Sequence, residues 1–312
     1  MTNLSDIAVL GVSRYWRTRK NLIQWIEKTT PSSIDPVVAY NARVDSKNVR
    51  NIPPSAYVPV GVRLFYKAEA LALKKEPWEQ KAIDALGYVA FGVQLDFFWH
   101  VQFRIIFPDH SQPLRMMSWE LMVEAMAMFL LLGRTQEAIY QGYLTHSVLN
   151  RGYLFRQSFE ARHRRVHAFM LRLFASWRGD VAHDWPPFAF SEPIYEGILE
   201  RWREPDPEAL KPWLWAACDR HTYETRMDSE TVFHDCSRFA RTPLEILFLF
   251  RLRALEGLPN PVLEHPLMEP PFDKLPDPQP AYVPDELVRG TLARVREDWP
   301  QFDQVVSLEA IR

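Results

Sequence analysis

The chain predicts an all-α fold, an irregular multi-helix bundle of helical hairpins with Pro-rich connections and little or no β-structure. Apolar residues recur at helical spacing along much of its 312 positions, and runs of alternating β-branched residues are absent. Prolines number 25 against 11 glycines, and many stand where a periodic segment starts or stops. With 47% apolar and 13% aromatic residues the chain can bury a sizeable core, which sets it apart from disordered sequences.

In order, a first helix is expected over 4–29, with Trp16, Ile23 and Ile26 on one side and Arg17, Arg19 and Lys20 on another. Residues 30–60 carry five prolines without sustained periodicity and read as an extended connection. Helices follow over 62–75 and 77–107, the second opened by Pro77 and stopped at Pro108. The next spans 118–132, with Glu120 and Glu124 its only charges; Gly133 breaks it, and 135–153 returns antiparallel. A strongly basic helix covers 157–178. Further helices are expected near 192–204, 207–226, 229–240, 243–256 and 284–298, with a Pro-rich strap over 259–284. This divides the chain into 1–60, a first bundle over 61–187 and a second over 188–312, packed together as one compact unit.

The second bundle is organised around 241–268. Thr242 is placed as an N-cap, Pro243 as first helical residue, and Glu245 completes a capping box. Leu244 and Ile246 to Phe250 then cover every side of the helix, so it belongs inside a core. Gly257 supplies a left-handed stop, and Pro259 and Pro261 prevent the helix from resuming.

The net charge of −2 conceals an asymmetry. Residues 186–312 hold 14 basic and 23 acidic side chains, a balance of −9, and residues 1–185 balance to +7. Two cysteines give no disulfide framework, no basic n-region precedes an apolar h-region, and no stretch reads as a membrane span. The expectation is a cytoplasmic protein without a membrane or nucleic-acid partner; oligomeric state is left open.

Three constellations bear on chemistry. Arg162 with His167, and Arg178 with His183, match the Arg-x4-His spacing of a family of helical ribonucleases, where such a pair acts as acid–base and anion stabiliser. An Arg-rich helix also produces this spacing by chance, with Arg162, Arg164, Arg165 and Arg172 forming a solvated basic face. Cys218 and His221 with His234 and Cys236 supply four soft ligands, but each half mixes the two types, and buried cysteines with hydrogen-bonded histidines are the favoured account of them. In 191–208, Tyr195, Ile198, Leu199 and Trp202 make a buried stripe at i, i+3, i+4 and i+7, while Glu192, Glu196, Glu200 and Glu204 form a ladder placed on the exposed side. Like charges four apart destabilise a helix mildly, although Arg201 and Arg203 offer compensation. Asp206 and Glu208 extend the negative patch towards the next helix. Phosphate-loop, dinucleotide, nucleophile-elbow, metalloprotease and paired CxxC motifs are all absent, so no catalytic residue, cofactor or metal is assigned.

The phrases YEGILERW at 195–202, DPEALKPWL at 206–214, AACDRH at 216–221, TPLEIL at 242–247 and HPLM at 265–268 resemble the all-helical immunity proteins of bacterial polymorphic-toxin and type VI secretion systems. The resemblance covers 190–300, more loosely from residue 80, and rests on helix order and short phrases. It implies a non-enzymatic cytoplasmic antidote that binds a cognate toxin domain, a nuclease in many such systems, and blocks its active site. Glu192, Glu196, Glu200, Glu204, Asp206 and Glu208 would then present charge to a basic cleft. The positive first half departs from the acidic character expected of that family. The runner-up is a helical ribonuclease acting through Arg162/His167 or Arg178/His183.

Overall fold

Apolar residues on every side of a helix force it inside, and two helices of the computed structural model obey that rule. The structure describes residues 3–7, 10–14, 16, 18–28, 34–42, 54–108, 119–151, 165–180, 185–225 and 239–312. In chain order the α-helices are α1 (Arg19–Lys28), α2 (Asp35–Asn41), α3 (Pro54–Lys74), α4 (Glu79–Ile106), α5 (Trp119–Leu131), α6 (Thr135–Asn150), α7 (Arg165–Arg178), α8 (Pro193–Arg201), α9 (Lys211–Glu224), α10 (Leu244–Leu255), α11 (Glu286–Asp298), α12 (Phe302–Val305) and α13 (Leu308–Ile311). There is no strand among the described residues. The fold is all-α, and no described helix is long and apolar enough to cross a membrane.

Helix α5 is buried along its length apart from Glu120 and packs against α4, α6, α7 and α10. Helix α10 buries Leu244 to Phe250, Leu252 and Arg253, as its uninterrupted apolar run predicts. Around this pair, α3 and α4 form one long hairpin and α5 and α6 a second. Gly133 turns the second at φ +74, and Gly257 ends α10 at φ +73, where a side chain would be strained. One hydrophobic cluster runs from Leu22 to Ile311 without a break at 60/61 or 187/188. The strap after α10 crosses back over the hairpins. Gln279 donates its backbone N–H to Leu132 O at 2.9 Å, and Phe272 meets Trp78 edge-on at 6.1 Å.

Three expectations about local structure are corrected. The first helix starts at Arg19, because the preceding segment is spent on tertiary bonds: Gly11 N–H to Asp219 Oδ2 at 2.9 Å, Ser13 N–H to Thr222 Oγ1 at 2.9 Å, and Trp16 Nε1 to Ala240 O at 2.9 Å. The 30–60 connection contains α2, which has Pro36 in its first turn, and the opening of α3, so these prolines start helices. The capping box at Thr242 does not form. Pro243 occupies the N-cap position, the Thr242 hydroxyl turns to Glu69 at 3.4 Å, and Glu245 is fully buried against His221. The helix expected over 229–240 falls almost wholly outside the described residues.

Candidate partner-binding surface

The acidic segment is built on a buried stripe. Tyr195, Ile198 and Trp202 are in the core and Leu199 is half-buried, as the spacing predicts. Tyr195 stacks on Phe169 of α7 with centroids 4.6 Å apart, and Trp202 Nε1 donates to Ser176 Oγ at 3.0 Å. Helix α8 is thereby fixed on α7.

That docking divides the ladder. Glu192 is only 8% exposed, with Arg220 Nη1 at 2.6 Å and Arg165 Nη1 at 3.5 Å. Glu196 lies between α8 and α7, where Arg172 grips both of its oxygens, the Nη2–Oε2 contact being 2.9 Å. These two are therefore not part of an exposed patch. The described arginines of the supposed solvated basic face, Arg165 and Arg172, are their counter-ions, because α7 turns its basic side towards α8. Part of the charge asymmetry between the two halves is thus consumed by internal pairing.

The rest of the acidic segment faces outward. Glu200, Glu204, Asp206 and Glu208 are exposed. Glu200 pairs with Arg201 at 2.9 Å and Glu208 with Lys211 at 3.4 Å. Asp206 accepts the Glu208 N–H at 3.0 Å and caps a 3-10 turn over Pro207–Ala209. Such exposed pairs are weak, about 0–1 kcal/mol each. The turn between α8 and α9 gets its shape from inside. Arg253 of α10, 0% exposed, donates to Trp202 O at 2.6 Å, Glu204 O at 3.0 Å and Pro259 O at 2.5 Å. One guanidinium therefore holds the acidic corner and the start of the strap together.

The ribonuclease residues do not assemble in the described part. His167 is 1% exposed, bonds Glu124 Oε1 at 2.9 Å through Nε2 and lies edge-on to Trp119. A phosphate in solution cannot reach it. Arg178 lies against the Trp177 ring and beside the Tyr143 hydroxyl, 3.4 Å away. Arg162 and His183 lie outside the described residues.

Of the soft-ligand set, Cys218 is fully buried, and burial pushes its thiol well up. His221 uses both ring nitrogens, on Glu245 Oε1 at 2.9 Å and Phe239 O at 3.2 Å, which leaves neither for a zinc ion. Burial works against the His221 imidazolium, but the Glu245 charge and hydrogen bonds prevail and its pKa is raised. His234 and Cys236 lie outside the described residues, and among the described residues no three His, Cys, Asp or Glu side chains converge to hold a metal.

Sequence reasoning missed a set of buried acids. Besides Glu124 and Glu245, Asp219 meets His265 Nε2 at 3.2 Å. Glu69 takes the Arg241 N–H at 2.9 Å on one oxygen, while its other oxygen has no hydrogen-bond partner. A narrow cavity lined by Phe65, Ala72, Trp78, Met128 and Phe272 adjoins this carboxyl. Burial pushes its pKa up to about 7, opposed by the Arg241 N–H and the His221 charge. The signal available in sequence was an acid within an otherwise apolar helical run, as at Glu124 and Glu245. No family model, curated protein or solved structure matches the chain.

Proposed function

We propose that this protein is a non-enzymatic antidote, cytoplasmic like the immunity proteins it resembles, which binds a cognate toxin domain and occludes its active site. The observation that carries the proposal is the braced acidic corner: Glu204, Asp206 and Glu208 stand exposed on a turn whose carbonyls are held by the buried Arg253. A basic nucleic-acid cleft is the surface such a corner complements, and carboxylates on a rigid turn imitate successive phosphates with little ordering cost on binding. Glu200 adds charge at the α8 end. Glu192 and Glu196 are assigned the separate task of holding α8 on α7.

Antidotes are typically encoded beside their toxins, so the test uses the protein encoded directly upstream. Its expression should arrest bacterial growth, and co-expression of this chain should restore growth. Growth arrest unrelieved by this chain, or an upstream product without toxicity, would contradict the proposal.

A further inference from the structure

One buried carboxylate fastens two segments to α9. Asp219 takes the Gly11 N–H on Oδ2 at 2.9 Å and faces His265 Nε2 with Oδ1 at 3.2 Å. One turn on, Thr222 Oγ1 takes the Ser13 N–H at 2.9 Å while donating to Asp219 O at 2.7 Å. The segment before α1 and the strap are therefore tied to the same turn of α9.

The bonds that His265 makes fix the position of its proton. Nδ1 accepts the Leu267 N–H at 3.0 Å and so caps the 3-10 turn Pro266–Met268. That nitrogen carries no hydrogen, and the ring proton sits on Nε2, directed at Asp219. The imidazole is neutral in this arrangement. A second proton, on Nδ1, would set two N–H groups against each other and leave the amide of the buried Leu267 without an acceptor. The charged groups facing the ring are Asp219 and His221 of α9, with Glu245 of α10 bonded to His221 Nδ1 at 2.9 Å. The Trp215 ring meets His265 edge-on at 5.4 Å. On the strap itself Glu264 and Glu269 are exposed, and Glu269 is held by Arg19 of α1 at 2.8 Å. Burial opposes an imidazolium here, Asp219 favours one, the His221 charge opposes it again, and the balance lowers the His265 pKa.

We infer that His265 is the pin of an acid-opened latch: a proton taken from solvent at Nδ1 displaces the Leu267 N–H, the 3-10 turn of the strap leaves α9, and Asp219, turning to water, releases residues 11–13 with it. The opened form takes its proton at the ordinary histidine value, the closed form only at a lower one. Opening therefore becomes easier as pH falls below the ordinary value, by at most about tenfold per pH unit, and levels off below the closed-form value. His221, whose pKa is raised, is already charged throughout that window. The latch does not depend on the antidote reading.

The test is amide exchange of the full chain, read by mass spectrometry from about pH 7 to about pH 4 and corrected for the intrinsic pH dependence of exchange. Protection at 11–13 and 267–268 is expected to fall together, by up to about tenfold per pH unit, while α5 and α10 keep theirs. His265→Asn replaces Nδ1 with a carboxamide oxygen that accepts the Leu267 N–H and takes up no proton, so protection at 267–268 should be the same at both ends of the range. Asp219→Asn, which puts a donor in place of one carboxylate oxygen, should loosen 11–13 and 267–268 already at neutral pH. Constant protection in wild type overturns the latch, as does loss from α5 and α10 in step with the two segments. An equal acid response in His265→Asn overturns the assignment to His265, and loosening of one segment without the other in Asp219→Asn overturns the shared tie. Should either variant fail to fold, the wild-type series decides.

Discussion

Replacing Arg253 with Met removes the brace beneath the acidic corner while nearly conserving volume. The guanidinium makes four N–H···O contacts to three carbonyls, at 2.6 Å to Trp202, 3.0 Å to Glu204, and 3.2 and 2.5 Å to Pro259. A hydrogen bond from a charged donor contributes about 1.5–3 kcal/mol, but carbonyls in a surface turn regain water when it is lost, so roughly 1 kcal/mol per carbonyl is a fair net figure. Relief from burying a charge works the other way, since burial pulls the Arg253 pKa down. With three carbonyls tied to one group, the loss of about 3 kcal/mol outweighs the relief, and the net cost is about 2 kcal/mol. An unfolding entropy of roughly 2 cal/mol/K per residue converts this into a fall of about 3 °C in Tm. Arg253→Lys keeps the charge without the planar fork and should lose about half as much. Thermal unfolding followed by circular dichroism measures the loss, and amide exchange across 203–208 shows whether the turn has loosened. A Met variant melting within about 1 °C of wild type, with unchanged exchange, would refute the claim that Arg253 shapes the corner.

Other perturbations separate structure from function. A Cβ at Gly197 would stand 2.1 Å from Trp213 Cζ3, so Gly197→Ala should force α8 off α9 and cost about 3 kcal/mol in urea unfolding; a neutral result would contradict that packing. His167→Ala would remove the hydrogen bond to Glu124 and open a cavity in the core, and should cost about 2–4 kcal/mol of stability; unchanged stability would mean the buried pair contributes nothing. The Glu69 carboxyl, raised from 4.5 to about 7, keeps its proton in the folded chain over a range where the unfolded chain has released it. Its contribution therefore falls as pH rises through that window and is level above it, an amplitude of about 3 kcal/mol. His221, also raised, contributes below its unfolded pKa and loses that contribution as pH rises through the folded one, so both slopes have the same sign. Urea unfolding of Glu69→Gln between about pH 5 and pH 8 should show a shallower fall than wild type, and identical slopes would refute the Glu69 assignment.

What sequence made legible was local and periodic. The apolar run of α10, the stop at Gly257, the return at Gly133 and the stripe Tyr195, Ile198 and Trp202 all depend on residues within two turns of one another. What it hid was pairing at long range. Glu245 three residues after Thr242 imitates a capping box, but its partner His221 is 24 positions away. Glu192 and Glu196 share the four-residue spacing of the ladder, and only the docking of α7 and α9 shows that Arg165, Arg172 and Arg220 already hold them. The start of α1 was obscured in the same way. Gly11, Ser13 and Trp16 give their donors to α9 and the 240 turn, a competition that helix propensity does not register.

The central claim is that a rigid acidic corner steers and holds a basic partner. The most direct test is the salt dependence of the association rate with the inactivated upstream-encoded protein, measured by stopped flow for wild type and for the triple Lys variant of Glu204, Asp206 and Glu208. Steering predicts a wild-type rate that falls steeply as salt rises, and a variant slower by about tenfold or more at low salt with little further salt dependence. Equal rates and equal salt slopes in the two proteins would contradict the account.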